Sequence, residues 1–360
     1  MREIGSEFWL ERELSATSNR DGCFVLSGRT AIDLIIQDIA KKQPVRSVYM
    51  PAWGCDSMIA PFLSRGVEIG FYDICPAEIA ENAEKASGRI ISAISALSAG
   101  QKELSESILY VTNYFGYENT IPIETVKRFK EKGAVILYDR THSFLMVNDP
   151  YLELADYSFA SIRKWMGVIG GAEVEGVKDV VLKPCPYLEP KESAMRMKQA
   201  YMAGDNTINK QEFLSLYGEF GHHLAEDYRD YEMDDLSYAI YKATDFEVMK
   251  AQRKANAQYL YEHLKGVRFM YDLTDKAVPL FVPVLFESKE QRDAVRRKLI
   301  EAEIYCPIHW PKPSQITADF EANKIYDTEL SLICDQRYTT DDMARMAAVI
   351  NEHGFNGLNG

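Results

Sequence analysis

The chain has 360 residues, 46% of them hydrophobic and 26% charged, and a formal net charge of −13. That is enough for one large domain plus a smaller one. The acidic balance argues against a general grip on nucleic acid or anionic lipid, though it leaves room for a local basic pocket around a phosphate. No apolar run approaches a membrane span, and the start, MREIGSEFWLERE, is acidic rather than a basic leader. A cytoplasmic location and a small-molecule partner are therefore expected, with no nucleic acid and no membrane. Six cysteines lie scattered without a C-x-x-C pair, which suggests reduced thiols rather than a disulfide framework or a zinc knuckle.

From about residue 24 to 175 the pattern alternates between strand and helix. RTAIDLIIQDIAKK has helical spacing, SVYMPAW is a short strand running into a turn, SMIAPFLSRG is helical, and VEIGFYDI is a strand. Segment 76 to 105, rich in Ala, Glu and Ser, is expected to be a helix and a mobile connection. SILYVTNYFG and AVILYD then read as buried strands on either side of the amphipathic PIETVKRFKEKG. This rhythm predicts an α/β fold, a large domain with a mostly parallel mixed sheet flanked by helices. Residues 187 to 265 read as mostly helical. After them AVPLFVPVLF predicts a strand, and KEQRDAVRRKLIEA and TDDMARMAAVINEHG predict helices of a smaller C-terminal α+β domain. The pattern divides the chain near residue 240, into 1–240 and 241–360.

Ligands of parallel sheets gather at the carboxyl ends of strands, so the residues following each strand carry the candidates. In SGRTAI, a turn with Gly28 opens into a helix whose free N–H groups can hold a phosphate; plain capping by Ser or Thr is the alternative. YDRTHSF delivers Asp139 and His142 from a buried strand, where an Asp capping a turn and a backbone-satisfied His are the bland reading. SFASIRKWMGVIGGAEV sets Lys164 between two strands, where a solvated lysine has little reason to be. An amine, an acid and a phosphate cradle around one sheet are what pyridoxal 5'-phosphate requires: a Schiff-base lysine, a carboxylate for the ring nitrogen, and donors for the phosphate.

Here the sequence resembles the fold type I pyridoxal-phosphate enzymes of the aspartate aminotransferase superfamily, most closely the DegT/DnrJ/StrS-type nucleotide-sugar aminotransferases. The similarity runs from SGRTAI through VYMPAWGCDSMIAPFLSRGVEIGFYDI, ILYVTNYFGY, VILYDRTHSF and SFASIRKWMGVIGG, and reappears in IYCPIHW and LSLICDQRYTTDDM. It implies that Lys164 forms the Schiff base and then moves the proton, that Asp139 pairs with the pyridine nitrogen, and that His142 lies near the phenolic oxygen. It also implies that Gly28, Arg29 and Thr30 take the phosphate together with a serine, and that Asn113 lines the pocket. Relatives usually carry that serine five residues before the lysine; here Ser158 is six before and Ser161 three before, and both stay candidates. An ungapped match would put Arg163 on the lysine's position, but a guanidinium forms no stable imine, so a local loop change is the better reading. Trp53 is the expected stacking ring, although Cys55 stands where relatives place the aromatic.

In the tail, His309 and Arg337 follow strands of the small domain and are expected to face substrate. A guanidinium at 337 suits a donor carboxylate, with bracing through Asp335 or Asp342 as the alternative. His222, His223 and Glu226 lack a third ligand, so no metal is expected. The tyrosines between Tyr228 and Tyr241 read as packing or subunit contact. The expected function is an aminotransferase moving an amino group from an amino acid, glutamate by resemblance, to a keto or oxo acceptor such as a sugar, as a homodimer with active sites at the subunit interface. A regulatory or binding protein of the same fold, or a lyase or dehydratase on the same cofactor, are the alternatives.

Overall fold

Apolar runs too short to be helices become strands because each can bury both faces between layers of amphipathic helix. The computed structural model describes residues 3–10, 14, 20–74, 104–118 and 121–353. The helix and connection expected over 76 to 105 fall almost entirely outside these residues. In chain order the elements begin with β1 (Ile4–Gly5), β2 (Cys23–Val25), α1 (Gly28–Ala40), β3 (Ser47–Pro51), α2 (Asp56–Leu63) and β4 (Glu68–Tyr72). Next come β5 (Ser107–Thr112), α3 (Ile123–Glu131), β6 (Val135–Asp139), α4 (Pro150–Leu154), β7 (Tyr157–Ala160) and β8 (Ala172–Glu175). The expected helical stretch is α5 (Glu189–Met202), α6 (Lys210–Glu226), α7 (Asp235–Ala243) and α8 (Phe246–His263). The remainder is β9 (Arg268–Phe269), β10 (Val282–Leu285), α9 (Lys289–Glu301), β11 (Ile304–Tyr305), α10 (Ala322–Thr328), β12 (Glu329–Leu332) and α11 (Thr340–His353).

The main sheet has seven strands in the order β2-β8-β7-β6-β5-β3-β4. Strands β3 to β7 pair in parallel, while β8 runs antiparallel to both β7 and β2. Alternation along each strand divides the core in two. Ile108, Tyr110, Leu137 and Phe159 pack with α1 and α2, whereas Leu109, Val111, Ile136 and Tyr138 pack on the opposite face. The predicted mostly parallel sheet flanked by helices is thus observed. A three-stranded antiparallel sheet, β12-β10-β9, forms with α8, α9 and α11 a second core. β10 is shorter than the AVPLFVPVLF run from which it was expected, since only Val282–Leu285 pairs with neighbours.

Residues 3–10 do not stay with the sheet that follows them. β1 pairs in parallel with β11, Gly5 N donates to Tyr338 Oη at 2.8 Å, and Tyr217 Oη donates to Phe8 O at 2.8 Å. Gly167 permits this course: a Cβ there would lie 2.1 Å from Trp9 O, so any side chain would push the segment away from the lysine loop. Among the described residues no helix is long and apolar enough to cross a membrane.

Candidate active site

The carboxyl ends of β5, β6 and β7 meet at one level, because Thr112 pairs with Asp139 and Asp139 with Phe159. These three side chains share the α1 face and line a pocket enclosing about 670 Å³, part of it open to solvent. Ser27, Gly28 and Arg29 border it from α1, Cys55 and Ser57 from the start of α2, and Ser161, Arg163 and Lys164 from the turn after β7. Tyr114, His142 and Trp310 complete its aromatic wall. The structure therefore brings together six of the predicted residues: Gly28, Arg29, Asp139, His142, Ser161 and Lys164.

Asp139 is buried and both of its oxygens are held: Tyr110 Oη donates to Oδ2 at 2.6 Å and Thr141 N donates to Oδ1 at 2.8 Å. Burial pushes its carboxyl above the ordinary range; these two donors and the Lys164 charge pull the other way. Lys164 ends a single 3-10 turn, where its backbone N donates to Ser161 O at 3.2 Å, and its Nζ makes no hydrogen bond or ion pair among the described residues. Burial, and then the neighbouring Arg163 guanidinium, lower its pKa, which favours the neutral, nucleophilic amine. His142 is held flat between rings, 5.0 Å from Phe115 and 5.7 Å from Trp310, and its Nδ1 accepts from Phe115 N at 3.3 Å. Burial and the Lys164 charge take it down to about 3, so it is a neutral imidazole.

At the start of α1, the Ser27 side chain caps the helix by accepting from Thr30 N at 3.2 Å, and Ala31 N donates to Ser27 O. The N–H groups of Gly28 and Arg29 remain without an intrahelical partner, and the first turn holds no acidic residue. Gly28 faces Ser161 closely: a Cβ on it would sit 3.7 Å from that of Ser161. Two guanidinium groups flank this cradle. Arg29 Nε and Arg163 Nε are both buried and neither has a hydrogen-bond partner. Arg29 has its pKa lowered by burial and then by the Arg163 charge. Free helix N–H groups, a hydroxyl, the orphaned Arg29 guanidinium nitrogen, an unpartnered amine and an opposed carboxylate fit pyridoxal phosphate at both of its ends.

Several predicted site residues lie elsewhere. Asn113 points to the other face of β5, where Oδ1 accepts from Gly116 N at 3.2 Å and Nδ2 bonds Tyr117 O; it shapes the turn, while Thr112 and Tyr114 line the pocket. Ser158 likewise faces away and donates to Glu175 Oε2 at 2.5 Å, which leaves Ser161 as the serine at the cradle. Thr30 is a capping partner, with its Oγ1 3.0 Å from Ser27 Oγ. Trp53 is fully buried, stacks on Tyr114 at 4.6 Å and donates from Nε1 to His309 O at 2.9 Å, so it supports the wall rather than forming it.

A second pocket of about 900 Å³, again open in part, adjoins the first at Arg163 and Lys164 and is lined also by Glu7, Phe8, Arg253, Phe281, His309 and Arg337. His309 faces it as expected, with Nδ1 2.9 Å from Ser331 Oγ and its backbone N donating to Glu329 Oε2 at 2.8 Å. Arg337 does not offer the fork expected for a donor carboxylate. Its Nε and Nη2 grip Asp335 at 2.9 and 2.8 Å, and Nη1 and Nη2 reach Glu7 O and Ser6 O. The bracing alternative through Asp335 is what the geometry displays. Residues that sequence reasoning passed over are Arg163, Tyr110, Thr112 and Thr141; strand parity could have found Tyr110 and Thr112, since both face α1 together with Asp139.

No family model matches the chain, and no curated protein matches its sequence. Solved structures do match its fold. A sugar aminotransferase, Spr1654 of Streptococcus pneumoniae, in its PMP form, superposes with a TM-score of 0.63 at 12% identity, over 92% of this chain and 85% of that one. The aminotransferase TlmJ from Streptoalloteichus hindustanus gives 0.62 at 15% identity over 92% and 85%. A DegT DnrJ EryC1 StrS aminotransferase from Brucella abortus gives 0.58 at 15% identity over 92% and 86%. The fold of this chain is thus that of the sugar aminotransferases of the DegT/DnrJ/EryC1/StrS type, the fold type I architecture expected from its motifs.

Proposed function

We propose that this chain is a pyridoxal-phosphate-dependent aminotransferase. The observation that carries the reading is the juxtaposition, in one pocket, of the unpartnered Lys164 amine, the buried Asp139 carboxylate and the open N-terminus of α1. When bound, the cofactor supplies a conjugated ring that accepts the electrons released as a substrate C–H bond breaks. Each residue has a matching task. Lys164 Nζ would hold the cofactor's aldehyde end and, as a neutral amine, would be the base that carries the proton. Asp139 holds positive charge on the ring nitrogen. Gly28 N, Arg29 and Ser161 hold the phosphate. His142, kept neutral and flat by its two ring neighbours, fills the wall without adding charge next to the amine.

The overall reaction moves an amino group from an amino acid, with glutamate as the expected donor, to a keto or oxo acceptor. The names of the structural neighbours favour a sugar as that acceptor. We further propose a homodimer, since the first pocket is partly open to solvent and a second copy is the natural cover. Incubation with pyridoxal phosphate, borohydride reduction and peptide mapping tests the reading. A pyridoxyl group on Lys164 is expected, and its absence in Lys164→Ala. Labelling at another lysine, or no visible band with added cofactor, would overturn it.

A further inference from the structure

An amino donor brings at least one carboxylate, and a carboxylate entering a half-buried pocket needs a cation whose hydrogen bonds are not already committed. Four cations border the second pocket: Arg163, Lys164, Arg253 and Arg337. Two are committed. Arg337 is clamped on Asp335, as described above. Arg253 is fully buried and donates to Gln336 Oε1 at 2.9 Å and to the carbonyls of Leu280 and Trp165 at 3.1 and 3.3 Å. Lys164 is reserved for the cofactor. Arg163 remains. It lines both pockets, its Nε is buried without a hydrogen-bond partner, and no carboxylate pairs with it among the described residues. The two acids of that pocket, Glu7 and Asp335, are held by Lys191 at 3.0 Å and by Arg337 at 2.8 Å.

We propose that Arg163 is the anion anchor of the substrate side, binding a carboxylate of the amino donor where the two pockets meet. The inference rests on the transaminase reading and adds to it the residue that selects an amino acid. Position explains the choice. Arg163 precedes Lys164 in the same 3-10 turn, so a carboxylate on its guanidinium is held beside the amine with which the donor must exchange. A planar fork can grip that carboxylate through two parallel N–H donors, which fixes the donor's orientation as well as its charge. Arg29, by contrast, lines only the first pocket, at the helix N-terminus, and is left to the phosphate.

The test uses glutarate, a dicarboxylate without an amino group, titrated calorimetrically into the wild type, Arg163→Met and Arg163→Lys, with parallel absorbance titrations of pyridoxal phosphate. Arg163→Met should bind glutarate at least about tenfold more weakly and Arg163→Lys should recover part of the loss, while cofactor affinity stays within about threefold. Unchanged glutarate binding in Arg163→Met, or no glutarate binding by the wild type, overturns the proposal. A tenfold fall in cofactor affinity with glutarate binding intact also overturns it and makes Arg163 a phosphate ligand. Thermal melts accompany each variant; if Arg163→Met melts early, Arg163→Lys decides by the same criteria. Failure of the wild type to form a visible band with the cofactor strikes the transaminase reading, whereas glutarate titrated into protein without cofactor still judges Arg163.

Discussion

Two groups of partly buried cations, around two adjoining pockets, are treated in opposite ways. Beneath residues 3–10 every one has a partner: Arg337 with Asp335, Lys191 with Glu7, Lys210 with Glu3, and Lys198 with the Glu7 carbonyl. At the carboxyl ends of β5 to β7, Arg29, Arg163 and Lys164 have none among the described residues. Removing a cation from water is costly unless something neutralises it, which fits architecture for the first group and the proposed anion and aldehyde ligands for the second. The difference separates site from scaffold in a region where both are rich in arginine and lysine.

The contrast can be broken most directly at Arg337. Arg337→Met leaves Asp335 buried and unpaired, so unfolding free energy should fall by about 3–5 kcal/mol in a denaturant titration. Cofactor capture by the protein that remains folded should persist. A variant that melts with the wild type yet loses donor binding would return Arg337 to the substrate site. Asp139→Ala sharpens the other side. Its removal takes the counter-charge from the reacting system, and half-reaction rates with glutamate should drop on the order of 10²–10³-fold while the cofactor still attaches to Lys164. Near-normal rates would remove Asp139 from its role.

Tyr110→Phe is the smallest and most discriminating change. It deletes the 2.6 Å donor that favours the ionised form of Asp139, worth about 1.5–3 kcal/mol for a hydrogen bond to a charged group. The Asp139 pKa, already raised by burial, should rise further, so the carboxylate is lost at higher pH on acidification. The acid limb of the kcat/KM profile should move upward in pH with little change on the alkaline side. An unmoved limb would show that Tyr110 only fills space.

Much of this site could be read from the chain because function follows strand ends, and the apolar runs before Asp139 and Lys164 announce those ends plainly. What escaped was parity. Asn113 and Ser158 are each one residue from positions that do face the pocket, Thr112 and Phe159, and the pleat turns alternate side chains to opposite faces. A sequence motif marks where a strand ends but leaves its phase open by one residue. Arg337 is a different case: the sequence leaves bracing through Asp335 and a donor carboxylate both open, and the closed fork on Asp335 favours the first. Arg163 was set aside as a failed lysine, when its chemistry suits a different task beside it.

The pairing of β1 with β11 also has a consequence in time. Ile4 and Ile304 are register partners, and Glu7 and Phe8, which wall the second pocket, follow directly after β1. A ribosome adding about 5–20 residues per second needs on the order of 15–60 s to travel between those partners. Through that interval the α/β sheet can assemble around Asp139 and Lys164 and residues 3–10 can meet their partners on α5 and α6, but β1 has no strand to pair with. The strand ends that carry Asp139 and Lys164 can therefore be in place well before β1 acquires its partner strand, and synthesis itself orders the two events.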